Sequence, residues 1–126
     1  MPLIPTEFQE QCGVIKWARL MSTAYPGIGL LYSIPNASKS HVRHRANLAK
    51  SGLLRGIPDL CLPIPRGNYH SLYIELKRQK GGRASKEQKA IILLLQSYGH
   101  KAVICAGADE AIKCIENYLG ITKGVS

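Results

Sequence analysis

A chain of 126 residues is long enough to bury a genuine core and too short to hold two, so 1–126 reads as a single domain. Its 17 Lys and Arg against 8 Asp and Glu give a formal charge of +9, a balance that draws the chain to phosphate-rich partners without saying which. The start MPLIPTEFQEQ has no basic n-region or apolar core, and no run approaches the roughly 20 apolar residues of a membrane span. The expectation is therefore a soluble, cytoplasmic protein with no membrane partner.

From about Thr6 to Met21 the apolar residues Phe8, Cys12, Ile15, Trp17 and Leu20 recur at three- and four-residue spacing, which predicts an amphipathic helix with Thr6 as N-cap. Pro26-Gly27 ends that region. Ile28–Ile34 is a short apolar run, read as a strand that Pro35-Asn36 breaks. Ser40–Leu54 reads as a basic helix without a single acid, closing near Gly52. Leu60–Ile64 and Leu72–Lys77 are the central strands, joined through the turn residues Pro65-Arg66-Gly67-Asn68.

A Gly-rich basic loop, Lys80–Arg83, leads into a second long helix from Lys86 to Tyr98. Its start, Ser85-Lys86-Glu87-Gln88, fits a capping box, and Gly99 fits its stop. Ala102–Ala106 is a last strand, and Asp109–Leu119 a last helix with acids in its first turn; Gly120–Ser126 reads as a frayed tail. The order αβ(α)ββαβα makes the fold class α/β. Cys12, Cys61, Cys105 and Cys114 lack any C-x-x-C pairing or neighbouring His cluster, so they read as reduced thiols. His41 and His44, without a third ligand nearby, read as DNA-facing or surface residues.

Between Gln11 and Lys86 the only carboxylates are Asp59 and Glu75, isolated among many cations. Side chains alternate along a strand, so Glu75 and Lys77 share one face with Tyr73, while Leu72, Ile74 and Leu76 share the other. Pairing the two central strands as an antiparallel hairpin sets Asp59 opposite Ile74 or Glu75. Two hard carboxylates and the Leu76 carbonyl suit Mg²⁺ or Mn²⁺, with Lys77 beside the attacking water and the scissile phosphate. Such a set matches what metal-dependent phosphodiester hydrolysis requires. Basic residues flank it on both sides: Lys39, Arg43, Arg45, Lys50 and Arg55 before Asp59, then Arg78, Lys80, Arg83, Lys86 and Lys89 after Lys77. That track would neutralise backbone phosphates and read no base sequence.

Gly56-Ile57-Pro58-Asp59, Ile74-Glu75-Leu76-Lys77 and Ser85-x-x-Gln88, preceded by Ile34-Pro35-Asn36, resemble the VRR-NUC group of PD-(D/E)XK nucleases over nearly the whole chain. The resemblance implies a restriction endonuclease-like core, a mixed central sheet flanked by helices. It implies that Asp59 and Glu75 bind the metal, that Lys77 orients water or stabilises the transition state, and that Gln88 supports the site. It also implies a further acid from the first helix. Glu7, in E-x-x-x-Q through Gln11, is preferred, with Glu10 as its rival on nearly the same helix face and the loser read as a solvated carboxylate. No organic cofactor is implied. Products would carry a 5′-phosphate and a 3′-hydroxyl. Stand-alone members of this size resemble phage-type, structure-specific nucleases that cut four-way (Holliday) junctions and other branched DNA as homodimers. Trp17, Leu30, Leu31 and Tyr32 are candidates for a dimer face or for the core. A monomeric flap or single-strand nuclease and a catalytically silent nucleic-acid-binding domain are the alternatives.

Overall fold

The structure, a computed structural model, describes residues 3–35 and 42–121, with the side chains of Val42 and Arg43 excepted. Helix α1 spans Glu7–Met21, followed by a 3₁₀ helix at Pro26–Leu30, strand β1 at Tyr32–Ser33 and helix α2 at Val42–Lys50. Strands β2 (Leu60–Leu62) and β3 (Leu72–Lys77), helix α3 (Lys86–Ser97), strand β4 (Lys101–Ala106) and helix α4 (Ala108–Leu119) complete the order.

The four strands form one mixed sheet in the order β1-β2-β3-β4, with the first two pairings antiparallel and β3·β4 parallel. A parallel neighbour needs a crossover, and α3 supplies it. The core fills the face of the sheet turned away from Glu75 and Lys77, where Leu72, Ile74 and Leu76 of β3 join Val14 and Ala18 of α1 and Ala111 and Ile115 of α4. The result is a sheet between two helical layers, α1 with α4 on one face and α3 on the other.

The expected capping box at Ser85 forms, and the Thr6 cap proves to be a second one. Thr6 Oγ accepts from Gln9 N at 3.1 Å, and Ser85 Oγ accepts from Gln88 N at 3.1 Å. Each satisfies two orphan donors of a helix start reciprocally. β3 has the predicted bounds, and α3 and β4 fall within one residue of theirs.

The segment 28–34 departs from expectation. Pro26 pre-sets the helical φ at the first position of a turn, and Ile28 N donates to Tyr25 O at 2.9 Å, so most of the apolar run is 3₁₀ helix and only Tyr32–Ser33 is strand. Arg19 holds this turn in place, its Nη1 donating to Gly29 O at 3.0 Å and Leu31 O at 2.8 Å. Leu31 is buried, whereas Leu30 and Tyr32 are exposed and Trp17 packs partly buried against the core. β2 stops at Leu62 rather than Ile64, because Pro63 has no N–H to offer a partner strand.

The described part of the basic helix ends at Lys50, four residues short of expectation. Leu53 N donates to Leu48 O at 2.9 Å across Gly52, a glycine-terminated closure that α4 repeats at its own end. There Ile121 N donates to Glu116 O at 2.9 Å, so Gly120 and Ile121 belong to the helix cap and not to a frayed tail. The readings of Asn36, Lys39, Ser40, His41 and residues 122–126 fall outside the described residues.

Candidate metal-dependent active site

The register of the central hairpin assembles the site. Leu60 pairs with Ile74, so Asp59, one residue earlier on β2's approach, comes level with the end of β3. Its Oδ2 accepts from Leu76 N at 2.8 Å, and its own carbonyl accepts from Ile34 N at 2.7 Å. The residue is thus held on both sides, its carboxylate by Leu76 and its main chain by Ile34, and it is 6% exposed. Leu76, whose carbonyl is a candidate ligand, is tied to Asp59 through its N–H.

Glu75 points to the α3 side of the sheet and is 1% exposed. Its Oε2 takes two donors, Lys77 Nζ at 3.2 Å and Gln88 Nε2 at 3.1 Å. Its Oε1 is buried with no donor. Burial pushes the Glu75 carboxyl up to about 8, the adjacent Asp59 carboxylate adds to the rise, and Lys77 opposes it. Two carboxylates packed against one another at the protein interior need a shared proton or a cation. A hard divalent ion fits this donor set, since one oxygen of a buried pair is left without any protein partner.

The loop before Asp59 packs against the first turn of α3, the turn that carries Gln88. Gly56 has φ +89°, and a Cβ there would stand 2.8 Å from Glu87 O. Only glycine satisfies both the left-handed backbone and that approach. Gln88 Oε1 meanwhile accepts from Ser85 N at 2.8 Å, so one amide caps the helix and contacts the carboxylate.

The two α1 acids part company. Glu10 is 5% exposed, and its Oε1 accepts from Ala108 N at 3.3 Å, at the start of a helix whose N-cap, Gly107, has no side chain to give. It is buried and caps α4, so it is not a solvated carboxylate; its Oε2 has no donor. Glu7 stands one turn earlier and is half-buried. Among the described residues no three His, Cys, Asp or Glu side chains come together as a ready metal cluster, so the carboxylate pair stands without a third protein acid at this point. Glu10's role was open to sequence reasoning by one route: a helix beginning at Gly107-Ala108 lacks its own cap and needs one from elsewhere. Arg19's hold on the 3₁₀ turn carried no comparable signal.

Lys50, Arg55, Arg78, Lys80, Arg83, Lys86 and Lys89 are exposed, and Arg45 is half-buried. Arg55 lies 3.9 Å from Glu87 across open solvent, a weak pair. Lys39 and the Arg43 side chain lie outside the described residues, and His44 is exposed. A cleft of about 690 Å³ between Tyr25–Ile28, Ile64, Arg66 and Leu119–Ile121 shares none of the site residues.

The profile of the VRR-NUC domain matches residues 4–109. The chain belongs to the VRR-NUC family. A solved structure described as a VRR_NUC domain protein is similar at a TM-score of 0.81 and 29% identity, over 95% of this chain and 93% of that one. Among curated proteins, no sequence matches significantly. Membership makes this VRR-NUC chain a nuclease-type domain acting on DNA, and its mixed sheet with flanking helices is a restriction endonuclease-like core. No helix among the described residues of the VRR-NUC chain is long and apolar enough to cross a membrane.

Proposed function

We propose that the protein is a Mg²⁺- or Mn²⁺-dependent endonuclease that hydrolyses phosphodiester bonds in branched DNA, four-way junctions in particular, as a homodimer. The observation that carries the metal dependence is the donorless, buried Oε1 of Glu75 beside Asp59. Asp59 and Glu75, the Leu76 carbonyl and Glu7 from α1 would hold the ion, with Glu10, whose Oε1 accepts from Ala108 N and whose buried Oε2 has no donor, as the alternative α1 acid. A bound divalent ion would lower the pKa of water and neutralise charge on the phosphoryl oxygens. Lys77, 8% exposed on the same strand face, keeps a fixed positive charge where negative charge grows in the transition state. Gln88 holds Glu75 in one rotamer through the 3.1 Å contact.

The exposed cations on either side of the carboxylates support phosphate contact by DNA on both flanks. The homodimer rests on family analogy, with the exposed Leu93 and Leu94 of α3 and Tyr98 at its C-cap as an apolar surface of the kind a second copy covers.

The deciding experiment compares cleavage of labelled four-way junction, flap, duplex and single-stranded DNA with Mg²⁺, Mn²⁺ or EDTA, beside Glu75→Ala and a solution mass. Paired, metal-dependent nicks in the junction that Glu75→Ala abolishes, from a protein of twice the chain mass, are expected. Binding without cleavage in every condition would leave a silent DNA-binding domain, and cleavage of flaps or single strands alone by a monomer would remove the junction reading.

A further inference from the structure

Two of the four cysteines meet on the side of the sheet away from the carboxylate site. Cys105 stands on β4 with its side chain toward α4, and Cys114 stands on α4 facing it; both line a cleft of about 350 Å³ with Lys101, Lys113, Glu110 and Asn117. Cys105 is 3% exposed, whereas Cys114 is only partly covered and opens onto the cleft. Cys12 is exposed and Cys61 buried on other elements.

We propose that Cys105 and Cys114 form a peroxide-reactive dithiol, with Cys114 as the thiol that is attacked first and Cys105 as its resolving partner. Exposure decides the order: both thiols line the cleft, but Cys105 is buried whereas Cys114 is partly exposed. Its electrostatic surroundings agree. Cys114 is lowered to about 7 by the Cys105 thiol beside it and by Lys101, against burial and Glu110, while Cys105 is pushed up by the same contact and by its burial.

The Cys114 thiolate attacks one oxygen of hydrogen peroxide. The S–O bond forms as the O–O bond breaks, the sulfur is oxidised to a sulfenic acid and hydroxide leaves. Cys105 sulfur then attacks Cys114 sulfur. The S–S bond forms, the S–O bond breaks, and the departing hydroxide takes the Cys105 proton as water. Two thiols and one peroxide yield one disulfide and two waters, and the bond ties β4 to α4.

The test is oxidation of the full chain with dilute hydrogen peroxide near neutral pH, followed by intact mass and tryptic mapping. Cleavage after Lys101 and Lys113 puts the two cysteines on separate peptides. The expected result is a loss of two hydrogens per chain, with the Cys105 peptide joined to the Cys114 peptide. In Cys105→Ala the reaction should stop at a Cys114 sulfenic acid that dimedone traps, and in Cys114→Ser no link should form and Cys105 should stay reduced. First oxidation at Cys12, a chain-to-chain disulfide, or oxidation of Cys105 in Cys114→Ser would overturn the assignment. Because Cys114 is partly exposed, its serine variant decides the matter even where Cys105→Ala fails to fold.

Discussion

Glu75 shows what a single atom reveals about an active site. Its Oε2 has two donors and its Oε1 none, in a setting where an unsatisfied buried oxygen costs about 1–3 kcal/mol. Burial, with Asp59 beside it, raises the Glu75 carboxyl from its ordinary 4.5 to about 8, so that the metal-free protein holds a proton here near neutral pH. Between those values the folded chain binds a proton that the unfolded chain has released, so this contribution to stability is present below about 4.5 and is lost as the pH rises through about 8. Urea unfolding in EDTA should therefore show stability falling across that window, with Glu75→Gln losing that part of the slope. Mg²⁺ should stabilise more at pH 8 than at pH 5, because at the lower pH it must displace the proton. A wild-type slope no steeper than that of Glu75→Gln would remove the shared-proton account.

Glu10 differs from Glu75 in what its burial does. Glu10→Ala removes the acceptor for Ala108 N, and the expected loss is about 1–2 kcal/mol of unfolding free energy, with cleavage by the folded fraction retained. The opposite result, full stability with cleavage lost, would make Glu10 rather than Glu7 the α1 acid of the site. Sequence spacing leaves these two acids close rivals because both lie in the first turns of one helix. The fact that separates them, a start to α4 without a cap of its own, involves residues about a hundred positions away.

Among the elements, the pieces that make the site are legible in the sequence and the pieces that position it are not. The alternation Leu72–Lys77 shows which side chains share a face, and Ser85-x-x-Gln88 gives the start of α3, since both depend on neighbours within one strand or one turn. Ile28–Ile34 misleads because an apolar run is compatible with a strand or a turn of helix, and Arg19, on the preceding helix and outside the run, binds the carbonyls of the turn. Gly56 belongs to the second kind as well. Nothing local explains a glycine there; the reason is the loop's approach to α3, and that approach yields a prediction. Gly56→Ala should cost about 2 kcal/mol or more, from the left-handed backbone and the 2.8 Å approach to Glu87 O together, and should push α3 away from Glu75. Cleavage by the folded fraction should fall, as measured by single-turnover rates beside an unfolding curve. Unchanged rates would show that Gln88 need not touch Glu75.

At the scale of the molecule, a net +9 charge becomes informative only through its placement. The exposed Arg78, Lys80 and Arg83 follow directly from the end of β3, so a phosphate backbone crossing the carboxylates would pass over them. Replacing all three with Ala should weaken binding to duplex and branched DNA alike and reduce the slope of log K against log salt by about 1 for each phosphate no longer neutralised, to a maximum of about 3. Loss of binding to one DNA shape alone would assign this loop to recognition of form instead of charge.

The amide of Gln88 is both a clasp on the first turn of α3 and a brace for Glu75. Helix ends come undone before helix middles or the sheets beneath them. On warming, therefore, the carboxylate loses its support while the rest of the chain is still folded, and the ceiling on working temperature is set by a single turn of helix. Cleavage rate and global melting followed on the same thermal scan should separate, with the rate declining first.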